Sequence, residues 1–296
     1  MFDCPMNDSA LITVGLPIAL AIIMFGLGLS LTVDDFRRVA KSPRAVVIAL
    51  GLQVLILPLI AFGLVKAFDL DPLLAVGVML LAASPGGTTA NLFSHLFRGD
   101  VALNVSLTAI NSVLAAVSIP VITNLAINHF EAEGELGLQV GKVLQVIAIV
   151  LVPVGIGMLV RRRSPEFAGS ADRPVRIFSI TTLVAVSVGA LLGERENLAD
   201  YVEQVGAVTS IFCLASLTLG YAGARLFQLD DKQAIACAME VGIHNTTVAL
   251  TIALSVLDNT EVAIPSAVYS VLMYVFATAF GFAITRNRRA APATPS

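Results

Sequence analysis

The chain has 296 residues, 57% of them apolar and only 13% charged, with a net charge of -3 and a mean hydropathy of +0.88. Soluble domains carry roughly twice that share of charge, so a soluble enzyme is excluded, and the apolar excess excludes disorder. Cys4, Cys213 and Cys237 are far apart, with no CxxC pair, which excludes a disulfide scaffold, a zinc centre and an iron–sulfur cluster.

A helix that crosses a bilayer needs about 20 mostly apolar residues. Nine such stretches follow one another, at 10–31, 45–66, 71–97, 101–128, 138–160, 174–192, 204–226, 231–257 and 260–285. The loops between them are short, so residues 1–296 are expected to form a single, all-α, polytopic membrane domain. A transmembrane β-barrel would show short alternating segments instead. Of the 18 Lys and Arg, fifteen lie in alternate loops, from Arg37 through Arg98, Arg161–Arg163 and Arg225 to Arg289; the opposite loops hold only Lys66 and Arg195. By the positive-inside rule the N-terminus is outside and the C-terminus inside. The first span has no basic segment before it and reads as a true span, not a cleaved signal peptide. The Arg161–Arg163 run reads as a topogenic anchor.

Two spans look broken. The third contains Ser84-Pro85-Gly86-Gly87-Thr88-Thr89-Ala90-Asn91, where a missing donor and two flexible residues oppose a continuous helix. The eighth contains Glu240-Val241-Gly242-Ile243-His244-Asn245-Thr246-Thr247. Gly87-Thr88-Thr89-Ala90-Asn91 resembles Asn245-Thr246-Thr247-Val248-Ala249. The two copies are five spans apart, so they run in opposite directions across the membrane. Paired interrupted helices in an inverted repeat point to a secondary transporter's binding site.

Depth supports this. At 1.5 Å per residue, Gln53, Asn91, Thr108 and Glu240 each lie roughly 10–14 Å from the nearest cytoplasmic charge, and Asn104 about half as deep as Thr108. Glu240 is the one carboxylate deep inside a span; such a group faces a cavity and marks an ion or proton path. A bound cation, a proton or His244 could balance it. Amide, hydroxyl, carboxylate and carbonyl oxygens suit a hard cation such as sodium. The half-helices starting near Thr88 and Asn245 present positive dipole ends, which favour an anionic substrate group. Gln53 reads as a ligand or as a bond to a neighbouring helix. Asn111 and Ser112 read as packing, His95 and His129 as interfacial, and Pro58, Pro120, Pro153 and Pro265 as kinks.

At these residues the chain resembles the bile acid:sodium symporter family. The matching segments are Ile23–Leu29, Gln53 with Pro58, Ser84 through Asn91, Arg98-Gly99-Asp100-Val101-Ala102-Leu103, and Glu240-Val241-Gly242 with Asn245. The resemblance implies inverted repeats, a panel and a core subdomain, and two crossing broken helices in the core. Relatives with ten spans have one more than this chain, at its start. One sodium site is implied at Asn91, Asn104, Thr108 and Glu240. A second is implied at Gln53, Glu240 and carbonyls near Val241 and Ile243, with His244 standing where relatives have Gln. A neutral histidine is a poor sodium ligand, so His244 either alters that site or takes the cation's place when protonated. Thr88, Thr89, Asn245 and Thr246 are expected to hold the anionic head of the substrate.

The expected activity is sodium-coupled symport of an organic anion, such as a bile acid or a related carboxylate, by alternating access. The alternative is proton coupling through Glu240 and His244. Sodium is the coupling ion and no cofactor is expected. The expected partners are the anion, sodium and lipid, with no nucleic acid or protein partner, in a bacterial inner membrane. An intramembrane enzyme lacks its chemistry here: there is no HExxH motif and no deep aspartate pair. A channel filter is usually built from rings of carbonyls or charges, and a single carboxylate fits a carrier better.

Overall fold

Hydrocarbon offers no hydrogen bonds, so a chain inside it must satisfy its own backbone, and helices do so locally. In a computed structural model, residues 15–38, 42–132, 140–193 and 198–286 are described, and among them helices dominate and no strand occurs beyond a single bridge. The helices are α1 (Leu16–Ser30), α2 (Val33–Arg38), α3 (Pro43–Gly51), α4 (Leu57–Ala67), α5 (Pro72–Ala83), α6 (Thr88–Leu96), α7 (Val101–His129), α8 (Val140–Arg163), α9 (Pro165–Gly193), α10 (Leu198–Leu226), α11 (Asp231–Gly242), α12 (Thr246–Ser255) and α13 (Thr260–Thr285). Four segments among the described residues are long and apolar enough to cross a membrane: Pro43–Ala67, Val101–His129, Tyr201–Leu226 and Thr260–Thr285.

Both expected breaks are present. α5 stops at Ala83 and α6 begins at Thr88; α11 stops at Gly242 and α12 begins at Thr246. A third irregularity was not foreseen. Between α3 and α4 the chain passes through a π-helical turn, Leu52–Ile56, which carries Gln53. The Leu57 N–H bonds back to Leu52 O, one residue further than in an α-helix, just before Pro58. Pro120, Pro153 and Pro265 lie inside helices assigned as continuous. The sixth stretch also differs from expectation. Its helix begins at Pro165, well before residue 174, because proline is pre-organised for a first helical position. Arg173 and Arg176 therefore ride on α9 instead of a loop. The part of the first stretch before residue 15, and Lys41 and Arg195, lie outside the described residues.

The helices pack as two groups. α1, α8 and α9 lie against one another, while α4, α5, α7, α10, α11 and α13 interlock around the broken pairs. The first group meets at glycines. A Cβ on Gly28 would collide with the Val154 backbone, and one on Gly157 with Phe25 O and Leu29 N. Without a hydrophobic drive between helices in lipid, such close backbone approach supplies the packing. Outside, Val47, Leu55, Leu59, Leu125, Val271 and Val275 are exposed, a surface that water would penalise and hydrocarbon accepts.

The second group is built twice. α5, α6 and α7 begin at 72, 88 and 101; α11, α12 and α13 begin at 231, 246 and 260, a nearly constant offset. The turns repeat as well. Asp69 after α4 and Gln228 after α10 both have left-handed backbones (φ 48° and 61°). Each closes the same cap: Leu70 N–H bonds Val65 O at 3.2 Å, and Leu229 N–H bonds Ala224 O at 3.0 Å, a 6→1 Schellman bond.

Candidate functional site

Breaking a buried helix frees carbonyls that must find donors. At these two breaks several of them do. Gly87 N–H donates to Ile243 O (3.1 Å) and Asn245 N–H to Pro85 O (2.8 Å), an antiparallel bridge with Gly86 opposite His244. Under the repeat offset these bonds are equivalents of each other, so the Gly86–His244 pair marks the crossing point of the two copies. Two more carbonyls take side chains: Gln53 Nε2–H donates to Ser84 O (2.9 Å), and Tyr269 O–H to Gly242 O (2.8 Å).

Glu240 lies in the last turn of α11, 1% exposed. Its carboxylate accepts from Thr108 Oγ1 at 2.6 Å and Asn111 Nδ2 at 3.3 Å. It presses against Gly86, where any Cβ would collide with it. Among the described residues the ion pairs are Arg37–Asp34, Arg38–Asp35 and Arg225–Asp231, and none reaches Glu240. No three His, Cys, Asp or Glu side chains gather among those residues.

Three amide oxygens are buried without a donor: Gln53 Oε1, Asn91 Oδ1 and Asn104 Oδ1. An unsatisfied buried acceptor costs about 1–3 kcal/mol, so its persistence calls for a partner beyond the chain. The amide nitrogen of Asn104 is already committed to Ala236 O at 2.8 Å, which leaves its oxygen free for another partner. Val241 and Ile243 lie at the end of α11, and the Ile243 carbonyl is taken by Gly87.

His244 is 1% exposed and bonded through both ring nitrogens. Nε2 is 3.3 Å from Gln53 Nε2, and Nδ1 is 3.1 Å from Tyr269 Oη. Gln53 donates to the first, and Tyr269 has already given its proton to Gly242 O. The arrangement fits an imidazole with its proton on Nδ1. Neither ring nitrogen bonds Glu240.

Beside the crossing, a cavity of about 360 Å³ separates the two helix groups. α1 and α9 line one wall through Ile23, Leu27, Ser179 and Leu183; Thr88, Thr89, Asn91 and His95 of α6 and residues 244–247 line the other. Gly87 provides no side-chain cap to α6, whereas Asn245 Oδ1 caps α12 by accepting from Val248 N–H at 3.3 Å. Thr246 Oγ1 faces this region buried and unpartnered.

The structure therefore brings Asn104, Thr108 and Glu240 together on α7 and α11, and sets Gln53 against His244. It places Thr88, Thr89, Asn91, Asn245 and Thr246 on the cavity. Asn111, read from sequence as packing, bonds the Glu240 carboxylate; its position three residues after Thr108 on the same helix face was the available signal. Tyr269 carried no such signal. His95, read as interfacial, lines the cavity, while His129 packs edge-on against Phe62 and Phe130.

The profile of the Sodium Bile acid symporter family matches residues 17–201. The chain is 34% identical over 255 residues to the sodium-dependent transporter YocS of Bacillus subtilis (strain 168), an alignment covering 86% of this chain and 78% of that protein. It is 27% identical over 286 residues to the ileal sodium/bile acid cotransporter of Homo sapiens, covering 95% and 81%. It is also 27% identical over 257 residues to the probable chloroplastic sodium/metabolite cotransporter BASS1 of Arabidopsis thaliana, covering 86% of this chain and 62% of that protein. With a family match over most of its length and helices apolar enough for a bilayer, this chain belongs to the sodium bile acid symporter family of sodium-dependent membrane transporters.

Proposed function

We propose that the chain is a symporter that moves an organic anion together with sodium by alternating access, as one domain of nine spans in a bacterial cell membrane. The observation that carries this reading is the pair of donorless buried oxygens on α6 and α7, the helices that pack against the helix of Glu240. Asn91 Oδ1 and Asn104 Oδ1 are unpartnered, and Thr108 and Glu240 complete a donor set of the hard, oxygen-only kind that sodium takes. The substrate's anionic head lies at the uncapped start of α6, near Thr88, Thr89, Asn245 and Thr246, where backbone dipoles favour negative charge. An organic carboxylate follows from that chemistry, and the names of the relatives support it.

The second cation position, formed by Gln53, Glu240, Val241, Ile243 and His244, is the weaker one. Gln53 Oε1 is free, but His244 offers no side-chain oxygen and Gly87 already holds Ile243 O. In this reading His244 is a fixed neutral bridge between Gln53 and Tyr269, and one sodium at Glu240 drives transport.

The test is thermal unfolding of the purified chain in NaCl against KCl at constant ionic strength, with Glu240→Gln beside the wild type. A cation that binds only the folded state adds about 2.7 kcal/mol at a hundredfold excess over Kd. A sodium-specific rise in Tm, absent in Glu240→Gln, is expected. Equal curves in the two salts would overturn sodium coupling and turn attention to uptake driven by a pH gradient.

A further inference from the structure

The cavity has two polar ends. At one end lie the uncapped start of α6 and the buried, unpartnered Thr246 hydroxyl. Along α6 the residues that line the cavity are Thr88, Thr89, Asn91, Leu92 and His95, of which Thr88, Asn91, Leu92 and His95 share one helix face. His95 thus lies seven residues from Thr88, about 10 Å along the axis. Between them the walls are apolar, formed by Leu27, Leu92, Leu183 and Met273.

His95 closes that α6 face, and Ser30 and Ser179 also line the cavity. The two serines have given their protons to their own helices: Ser30 Oγ donates to Leu27 O (2.7 Å) and Ser179 Oγ to Val175 O (2.8 Å). The exposed His95 ring makes no side-chain hydrogen bond or ion pair among the described residues. No Lys, Arg, Asp or Glu among those residues lines the cavity. His95 is therefore the donor at that end, waiting for an acceptor.

We propose that His95 is a second binding residue, and that the ligand is an elongated organic acid with a hydrogen-bond-accepting group, such as a second carboxylate, about 10 Å from the first. This rests on the anion reading above. A carboxylate at the start of α6 leaves its body along Leu92 and Met273, and its other end meets the His95 ring. An apolar tail offers that ring no acceptor, whereas a second carboxylate makes a charge-assisted hydrogen bond to it.

The experiment titrates the purified full-length protein, in NaCl, with straight-chain monocarboxylates and α,ω-dicarboxylates of matched, graded length, and reads Tm. Wild type, His95→Leu and His95→Gln are compared. His95 is outside the cation donor set, so an unchanged sodium-induced rise in Tm certifies that each variant is folded. At one chain length the diacid should bind about tenfold more tightly than the mono-acid, the effect of one charge-assisted hydrogen bond. His95→Leu should erase that preference, and His95→Gln, which keeps an N–H donor, should retain part of it. Equal affinities at every length, or a preference that survives in His95→Leu, overturn the role of His95 while leaving the anion reading standing. Protection by neither acid series overturns both.

Discussion

Glu240 is held by two neutral donors and by the absence of a side chain opposite it. Thr108 and Asn111 supply the hydrogen bonds, and Gly86 supplies the space. A Cβ at residue 86 must displace the carboxylate or spread the crossing. Gly86→Ala should therefore lower stability by about 1–3 kcal/mol, as overpacking does, and should also abolish the sodium-specific rise in Tm. A variant that melts earlier yet keeps the full sodium response would separate Gly86 from the cation site. That Glu240 would be buried was legible from residue spacing alone. The role of Asn111 was not. Its spacing matched that of a ligand, but so does that of any packing residue one turn along the same helix. Which side chains meet the carboxylate depends on how α7 is rotated against α11, and that is set by long-range packing.

At the scale of elements, composition announces a break but not what repairs it. Pro85, Gly86 and Gly87 forecast the first interruption, and a polar run around Gly242 the second. The donors that restore the freed carbonyls come from elsewhere: the opposite break, Gln53 and Tyr269. The π-turn at Gln53 also escaped sequence reading, because a register shift of one residue leaves the apolar pattern of a buried helix unchanged. It carries Gln53, a residue of the proposed second cation position, and such turns are often found at functional side chains. Glycine acts differently on the α1–α8 contact. Gly157 touches the α1 backbone, while Gly155 on the same helix has nothing within 4 Å. Gly157→Ala should thus lower Tm by forcing α1 and α8 apart, whereas Gly155→Ala should raise it slightly, since alanine favours a helix interior by about 1 kcal/mol. Thermal melts of the two variants side by side check this; equal shifts would mean that the crossing tolerates a methyl group.

For the whole molecule, the repeated second group bears on topology. Asp69 and Gln228 occupy equivalent left-handed turns in the two copies. If the copies are inverted, with the N-terminus outside, the two turns lie on opposite membrane faces. With Cys4 replaced by Ser and the two remaining cysteines buried, Asp69→Cys should react with a membrane-impermeant maleimide added to intact cells. Gln228→Cys should react only after the cells are opened. Labelling of both from the same side would remove the inverted repeat and the alternating access built on it. The charge alternation that predicts this outcome is a property of loops, legible without coordinates. By itself the sequence determined the apolar segments, the bias of positive charge, the positions of both breaks and the one deep carboxylate. Each of these depends only on local composition and distance along the chain. Tertiary structure decided that the breaks pair with each other, that His244 bonds Gln53 and Tyr269 instead of Glu240, and that His95 faces a cavity. Those outcomes depend on which faces of distant helices meet, which no local pattern in the chain encodes.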